Sequence, residues 1–226
     1  MYKKQSILAV IPARLGSKRI KEKNILPIFG KKNLLDFTYN SILKSKYLDR
    51  SILSTDSNKI KKIAKNIGFE VPFTRPKKLA RDNCSSEKVT LHALKKVKEN
   101  YDYTLILQPT SPLRKATDID NSIKKIINNN YQCLISIFHS KSKEKYPIKL
   151  IKKKKIRFSF NSRKRSNYYL NGSIFLFKTN FLYKYKSVDI IQKKGHAMAY
   201  KMPDSRSIDI DTNLDLIKFK KLLKKQ

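Results

Sequence analysis

The segment ARLGSKRIKEKN, residues 13–24, carries a concentration of positive charge directly after an apolar run. Its cationic side chains are Arg14, Lys18, Arg19, Lys21 and Lys23. Backbone amides around Gly16 and Ser17 could meet phosphate oxygens while such side chains neutralise the phosphate charge. The spacing matches neither a Walker loop nor a dinucleotide-binding glycine motif. The segment therefore indicates either a phosphate-binding loop or a solvated basic loop.

A second candidate site is the acidic segment SIDIDTNLDL, residues 207–216. In an extended chain Asp209 and Asp211 point to the same face. Two carboxylates on one face suit a Mg²⁺ ion that keeps several waters and binds substrate phosphates. Thr212 and Asp215 have the spacing of a capping box for a final helix, but this interpretation leaves Asp209 unexplained. The segment predicts a magnesium site beside a helix cap.

A third candidate is the segment LQPTSPLR, residues 107–114, which follows an apolar run. Its two prolines predict a rigid loop at the edge of a sheet. Gln108 and Arg114 are then candidates to orient a polar, acidic ligand. The alternative is a simple turn between a strand and a helix.

The cysteines and histidines do not indicate a metal site or a nucleophile. Cys84 and Cys133 lack metal-ligand spacing, and the three histidines, His92, His139 and His196, are far apart. Zinc is therefore not expected, and no persuasive Ser–His or Cys–His pair is present.

The composition is that of a globular protein with an unusually basic surface. The chain has 226 residues, 40% of them hydrophobic, and a formal net charge of +35. Clustered Lys and Arg would favour nucleic-acid binding, but the lysines are spread along the chain on polar positions of helical segments. A codon bias of an AT-rich genome explains this spread better, so nucleic acid is not the expected partner.

The sequence predicts a cytoplasmic protein. No apolar run approaches the roughly 18 residues that span a bilayer. The apolar stretch near the N-terminus is short, and it runs into Pro12 and Arg14 without a small-residue cleavage site.

Short β-rich runs alternate with helical patterns along most of the chain. Strands are predicted at 6–11, 50–55, 69–73, 103–108, 132–138, 171–177 and 195–202, and helices at 33–45, 57–68, 85–100, 116–130 and 212–225. Such alternation predicts an α/β domain with a mostly parallel sheet flanked by helices. Ligands of these sheets bind outside the carboxyl ends of the strands, where the basic loop leaves the first strand.

The alternation stops at residues 139–170. The runs IKLI and IRFSF flank a group of lysines there, which indicates a hairpin extension used for oligomer contacts. We expect a single domain, 1–226, that contains this extension.

Six segments taken in order resemble a known family. They are IPARLGSKRIKEKNI, STDS, RPKKLARDN, LQPTSPLR, NGSIF and SIDIDTNLDL, and together they span nearly the whole chain. The chain is similar to the acylneuraminate cytidylyltransferases and to their relatives that act on other nonulosonic acids. This resemblance implies a Rossmann-like nucleotidyltransferase fold and a hairpin that builds a homodimer. It also implies a Mg²⁺-dependent reaction of CTP with a nine-carbon acidic sugar, whose anomeric hydroxyl attacks the α-phosphate directly.

The resemblance also implies roles for individual residues. Arg14 and Lys23 would hold the triphosphate and, with Asp211, act in catalysis. The nucleotide would further be contacted by Gly16, Ser17, Lys18, Asn24, Arg75 and Ser86. The sugar would be bound by Gln108 and Asn171, and Mg²⁺ by Asp209 and Asp211.

One segment departs from the family pattern. The stretch before NGSIF reads NSRKRSNYYL, so Arg163 or Arg165 would replace the family arginine that contacts substrate from the partner subunit. The sugar therefore stays open. N-acetylneuraminic acid is expected first, legionaminic or pseudaminic acid next, and 3-deoxy-manno-octulosonic acid after these. Two alternative interpretations do not involve this chemistry. The chain would then be a basic nucleic-acid-binding protein or a remnant of the family that has lost catalysis.

Overall fold

The apolar runs of the sequence form one mixed sheet at the centre of the molecule. The computed structural model describes residues 1–140, 146–151, 155–158, 167–187 and 197–224, without the side chains of 149–151 and 155–158. Within these ranges the sheet order is β2-β1-β3-β7-β4-β8-β6-β5. The strands are β1 (Ile7–Pro12), β2 (Arg50–Ser54), β3 (Tyr103–Ile106), β4 (Cys133–His139), β5 (Pro147–Ile151), β6 (Lys155–Phe158), β7 (Tyr168–Lys178) and β8 (Ala197–Met202).

Most of these strands run in one direction. The pairs β1–β2, β1–β3 and β4–β8 are parallel, whereas β7 is antiparallel to β3, β4 and β5, and β6 is antiparallel to β5 and β8. Helices flank the sheet: α1 (Leu34–Leu43), α2 (Asn58–Ile67), α3 (Ser86–Val97), α4 (Ala116–Asn128), α5 (Thr179–Tyr185) and α6 (Asn213–Leu223). The predicted α/β class with a mostly parallel, helix-flanked sheet is confirmed.

Burial explains why the first strand is continuously apolar. Residues 7–11 of β1 are fully buried, because β1 lies inside the sheet and contributes to a different hydrophobic cluster on each face. The loop that leaves β1 is thereby anchored to the most deeply buried part of the molecule. No helix within the described ranges is long and apolar enough to cross a membrane.

Three helices have well-defined caps, and the cap of the last helix was predicted. Gly68 follows α2 with φ +115°, and a side chain there would collide with the ring of Tyr39. The Ser85 hydroxyl accepts a hydrogen bond from the backbone N–H of Lys88 at the start of α3. Thr212 and Asp215 form the expected capping box of α6.

Two predictions of secondary structure differ from the structure. Residues 69–73 are not a strand; a single bridge joins Glu70 to Ile52, and Pro72 has no N–H with which to continue a ladder. The short helix α5, after β7, was not predicted.

The runs IKLI and IRFSF form β5 and β6, which pair with each other as an antiparallel hairpin. β5 also pairs with β7, and β6 with β8. The described part of the 139–170 extension therefore lies against the sheet of its own chain.

An irregularity interrupts β7 at the motif NGSI, residues 171–174. The register opposite β4 shifts between Ile135 and Ile137, whose partners on β7 are Phe175 and Leu170. Ser136 faces this bulge, and its hydroxyl donates to Asn171 Oδ1 at 2.6 Å and accepts from Ile174 N at 2.8 Å. The bulge is thus closed by side-chain hydrogen bonds in place of the missing ladder.

Candidate active site

A cleft of about 450 Å³ opens at the carboxyl ends of β1 and β3. Its walls come from the loops after β1, β3 and β8, the start of α3 and the bulge of β7. Most of the predicted site residues line this cleft: Arg14, Ser17, Lys23, Asn24, Arg75, Ser86, Gln108, Asp209 and Asp211. The three candidate loops of the sequence therefore meet at one place.

The first part of the basic loop is fastened to residues 80–82. Arg14 donates to the carbonyl of Ala80 at 3.1 Å and pairs with Asp82 at 2.6 Å. Lys18 pairs with the other oxygen of Asp82 at 2.8 Å. Hydrogen bonds from Lys18 and Arg14 lower the pKa of Asp82. The Asn24 amide donates to the carbonyl of Arg14 at 3.0 Å and so closes the loop from inside.

The second part of the basic loop meets the acidic segment. The Lys23 ammonium donates to the carbonyl of Ile210 at 2.6 Å and to Asp211 Oδ1 at 3.2 Å. Arg19 pairs with Asp211 Oδ2 at 3.2 Å. Asp211 is thus compensated by two cations, and Lys23 is oriented by two acceptors.

Asp209 lies deeper in the same segment. Its Oδ1 is buried and has no hydrogen-bond partner in the structure. Burial raises the pKa of Asp209 to about 6, and the Asp211 charge acts in the same direction, while a hydrogen bond from Thr110 and the charge of Lys23 oppose the shift. An orphaned buried carboxylate oxygen is costly, and a cation in the cleft would satisfy it.

Arg75 also lines the cleft, with 3% of its surface exposed. It pairs with Asp56 at 3.3 Å, and its Nε has no partner. Burial lowers the pKa of Arg75, although Asp56 opposes this shift. The same Asp56 oxygen accepts from the backbone N–H of Leu15 at 3.3 Å, so it joins Arg75 to the basic loop.

Polar and apolar groups alternate along the remaining wall. The Gln108 amide donates to the Ser86 hydroxyl at 3.3 Å. Val89, Ile106 and Phe175 provide an apolar surface beside them. This wall of the cleft can therefore accept a flat, partly polar ring.

Some predicted residues do not line the cleft. Gly16 and Lys18 lie on the exposed side of the basic loop. Asn171 is 1% exposed, and its amide bonds to Ser136 and Ser207 inside the protein. Arg163 and Arg165 lie outside the described residues.

Arg114 is buried beneath the LQPTSPLR loop rather than in the cleft. It donates to the carbonyl of Ser173 at 2.8 Å and to that of Gln108 at 3.3 Å. Burial lowers the pKa of Arg114 to about 10. Arg114 therefore connects the LQPTSPLR loop to the bulge of β7.

Sequence reasoning missed several residues of the cleft. Arg81, Glu87, Tyr146 and Gly172 line it, and Asp56 supports it from behind. Asp56, Arg81 and Gly172 lie in the motifs STDS, RPKKLARDN and NGSIF, so the motifs themselves were the available signal. Glu87 and Tyr146 carried no such signal.

Protein side chains alone do not form a metal cage in the described ranges. No group of three or more His, Cys, Asp or Glu side chains that could hold a metal ion occurs there. A cation at Asp209 and Asp211 would need ligands from a substrate or from water.

Several known proteins with similar sequences are named cytidylyltransferases. A family model described as cytidylyltransferase matches residues 8–225. The N-acylneuraminate cytidylyltransferase of Escherichia coli O18:K1:H7 is 32% identical over 92% of this chain and 50% of its own length. The pseudaminic acid cytidylyltransferase of Campylobacter jejuni serotype O:2 is 30% identical over 96% of both chains. The chain thus spans about half of the first relative and nearly all of the second.

The fold is also similar to that of a solved nucleotide-sugar synthetase. A solved CMP:2-keto-3-deoxy-manno-octonic acid synthetase in complex with CTP superposes with a TM-score of 0.82 over 97% of this chain and 99% of its own, at 17% identity. At that identity the likeness concerns the fold, and it confirms the Rossmann-like nucleotidyltransferase architecture. From the family model together with these relatives, we conclude that the chain belongs to the cytidylyltransferase family.

Proposed function

We propose that the protein transfers CMP from CTP to the anomeric hydroxyl of a nine-carbon α-keto acid sugar and releases pyrophosphate. The observation that carries this proposal is the meeting of Arg14, Lys23 and Arg75 with Asp209 and Asp211 in one cleft. Cations suit the triphosphate, and the paired carboxylates suit its metal ion.

The basic loop would bind the triphosphate. Lys23 and Arg14 lie where they can neutralise the charge that shifts to the leaving pyrophosphate. Their present partners, Asp211 and Asp82, keep both side chains ordered before the nucleotide arrives. Phosphate oxygens then replace carboxylates as acceptors, at little cost in conformational entropy.

The carboxylates would hold Mg²⁺ together with phosphate oxygens and water. The residues fit this ion because Asp209 has an orphaned buried oxygen and Asp211 lies two residues away on the same segment. When bound, Mg²⁺ supplies charge stabilisation at the α-phosphate. Asp211 would exchange its contacts with Lys23 and Arg19 for the ion.

The nucleophile would be the sugar itself. The anomeric oxygen forms a bond to the α-phosphorus, the bond from that phosphorus to the bridging oxygen of pyrophosphate breaks, and the hydroxyl proton passes to water. Gln108, near Asp209 on the wall of the cleft, would orient the sugar. The protein side chains then need only to position the reactants and stabilise charge.

The cytidine would lie against Arg75 and the start of α3. Arg75 and Ser86 provide polar contacts, and Val89 and Ile106 provide an apolar surface for the base. Because Ser86 is hydrogen-bonded to Gln108, the base and the sugar would lie beside each other on this wall.

We also propose a cytoplasmic homodimer. The reaction needs the nucleoside triphosphate pool, and the 139–170 extension would contact a second subunit. In that assembly Arg163 or Arg165 would reach the sugar bound to the partner.

N-acetylneuraminic acid is the first candidate for the sugar, and pseudaminic or legionaminic acid follows. The named relatives support both groups, because a neuraminate enzyme and a pseudaminate enzyme resemble the chain to almost the same degree. A CMP-N,N'-diacetyllegionaminic acid synthase of Legionella pneumophila is 38% identical, over 52% of each chain.

Pyrophosphate release from CTP and Mg²⁺ tests the proposal. The sugars to compare are N-acetylneuraminic, legionaminic, pseudaminic and 3-deoxy-manno-octulosonic acids. Release with one of them, lost in Asp211→Asn, supports the proposed chemistry and names the substrate. A folded protein that releases no pyrophosphate with any of the four would contradict it.

A further inference from the structure

The bulge of β7 places Gly172 in the wall of the cleft, close to the predicted sugar contact Gln108 and the predicted metal ligand Asp209. Gly172 has φ +68°, a conformation that side chains rarely adopt. A Cβ on Gly172 would lie 3.0 Å from Gln108 Oε1 and 3.3 Å from Asp209 Oδ2. Gln108 and Asp209 therefore approach the β7 backbone at the same point, in space that any other residue would fill.

The bulge that presents Gly172 is held from several sides. The Ser111 hydroxyl donates to the carbonyl of Asn171 at 3.1 Å, and Arg114 donates to the carbonyl of Ser173 at 2.8 Å. The Asn171 side chain accepts from the backbone N–H of Ser173 at 3.1 Å. The backbone groups on both sides of Gly172 are thus satisfied, so its conformation is fixed rather than adaptable.

The two side chains over Gly172 are also oriented. Gln108 donates through Nε2 to Ser86, which turns Oε1 towards Gly172. Asp209 presents Oδ2 to Gly172 while its Oδ1 stays buried without a partner. Two acceptor oxygens from different loops therefore converge above one glycine.

We propose that Gly172 is a positioning residue that sets the separation between the sugar contact Gln108 and the metal-binding carboxylate Asp209. This inference rests on the proposed function. The glycine allows an acceptor for the sugar and a ligand of the cation to face the same small volume, where the attacking hydroxyl must meet the α-phosphate. A Cβ would require both side chains to move by a few tenths of an ångström away from the backbone of Gly172.

Gly172→Ala tests this role, and Gly30→Ala is its matched control. Gly30 has φ +57°, does not line the cleft, and has no atom within 4 Å of an added Cβ. Both variants therefore carry a similar backbone strain, and only Gly172→Ala intrudes on Gln108 and Asp209. A difference in behaviour between the two variants would therefore measure the effect of the added Cβ on Gln108 and Asp209.

The first readout is the affinity of the protein for Mn²⁺ in the presence of CTP and without sugar. The electron paramagnetic resonance signal of the free ion measures it. We expect Gly172→Ala to bind Mn²⁺ at least about tenfold more weakly, as displacement of a supporting group at a metal site usually does. Gly30→Ala should stay within about twofold of the unsubstituted protein. Equal Mn²⁺ affinity in Gly172→Ala and Gly30→Ala would overturn the proposal.

The second readout is turnover with the active sugar. Gly172→Ala should lower kcat and raise KM for the sugar more than KM for CTP, because Gln108 would contact the sugar, whereas Arg14 and Lys23 would still hold the triphosphate. A loss shared equally by both KM values would indicate general damage to the cleft and contradict a positioning role. If the unsubstituted protein is inactive on every sugar, the proposed function fails, and the Mn²⁺ measurement still decides the role of Gly172.

A folding defect would not end the test. Asn tolerates a left-handed backbone better than Ala does. Gly172→Asn, compared with Gly30→Asn, therefore repeats the comparison with less strain. We expect the same loss of Mn²⁺ affinity in Gly172→Asn, and its absence from a folded Gly172→Asn would again overturn the proposal.

Discussion

Lys23 is the most enclosed of the loop cations for which an ion pair is observed. Its side chain is 13% exposed, compared with 82% for Lys18. Two acceptors, the carbonyl of Ile210 and the carboxylate of Asp211, hold its ammonium in place. A charge that is already oriented stabilises a transition state without reorganisation, so Lys23 is expected to matter more for rate than its neighbours do.

Lys23→Ala should therefore lower kcat/KM by about 10²–10³, the range found when one preorganised donor is removed. Lys21→Ala is the control, because Lys21 belongs to the same loop but is exposed and does not line the cleft. Steady-state kinetics of pyrophosphate release would compare them. Similar losses in both variants would show that the loop acts through net charge alone.

Asp209→Asn should stabilise the Mg²⁺-free protein at neutral pH and abolish turnover. The pKa of Asp209 is raised to about 6 in the fold from an ordinary value of 3.8. The folded state therefore holds this proton more tightly, and its contribution to stability is present at low pH and lost as pH rises through the folded pKa. Above pH 6 the buried carboxylate is charged and destabilising, which Asn avoids.

Thermal unfolding in EDTA at pH 4 and pH 7.5 measures this effect. The gain in Tm of Asp209→Asn over the unsubstituted protein should be larger at pH 7.5. Asp215→Asn is the comparison, because Asp215 serves the α6 cap and hydrogen bonds from Thr212 help to lower its pKa. A variant of Asp209 that is less stable at pH 7.5 would contradict this account.

Residue spacing predicted which loops carry charge, but not where each side chain points. Arg14, Lys23, Asp209 and Asp211 were placed from the sequence, and all line the cleft. Whether they bind substrate stays a prediction. The orientation of Asn171 depends on Ser136, which is 35 residues away in sequence, so no local pattern could have revealed that it faces inward.

At the scale of elements, the bulge of β7 replaces regular pairing with side-chain hydrogen bonds. Ser136 is central, because its hydroxyl contacts Asn171 Oδ1 and both backbone groups of Ile174. Loss of this hydroxyl removes the bond that the N–H of Ile174 donates to it and leaves Asn171 Oδ1 with the N–H of Ser173. A buried N–H left without a partner costs more than an ordinary hydrogen bond contributes.

Ser136→Ala should lower the free energy of unfolding by about 1–3 kcal/mol. Ser122→Ala provides the matched control, because Ser122 is equally buried but its hydroxyl only donates to a helix carbonyl, that of Ile119. Urea unfolding would measure both. If the two variants lose the same stability, the bulge does not depend on Ser136.

Helices with a long periodic pattern were predicted from the sequence, whereas the shortest helix was not. The helices α2 and α6 have apolar residues at helical spacing and recognisable caps, and both were predicted. α5 has seven residues, several of them aromatic, and its N-cap Lys178 makes no side-chain bond. Its helical form depends on packing of the buried Leu182, which is tertiary information.

At the scale of the whole molecule, positive charge is spread rather than focused. The net charge of +35 is carried by lysines along the whole chain, whereas the cleft combines cations with Asp209, Asp211 and Glu87. Beyond about 8 Å such charges are screened at physiological salt. The charge should therefore favour weak, non-specific contacts with polyanions without defining a nucleic-acid site.

Binding to a fluorescent DNA duplex should accordingly be measurable at 50 mM salt and lost at about 200 mM, with no competition by CTP. Fluorescence anisotropy over this range provides the measurement, and CTP binding to the protein at 200 mM is its control. Affinity for DNA in the nanomolar range at 200 mM salt would instead favour the nucleic-acid interpretation.

The two cysteines differ in exposure, so a thiol reagent can distinguish them. Cys133 is fully buried, and burial raises the pKa of its thiol. Cys84 is partly exposed and lines the cleft beside Arg75 and Ser86. A thiol-specific fluorophore or an electrophilic fragment should therefore attach at one chemically defined position without any engineering. Cys84 thus offers a covalent attachment point in the wall of the cleft, from which ligand binding can be followed by fluorescence and to which inhibitors can be tethered.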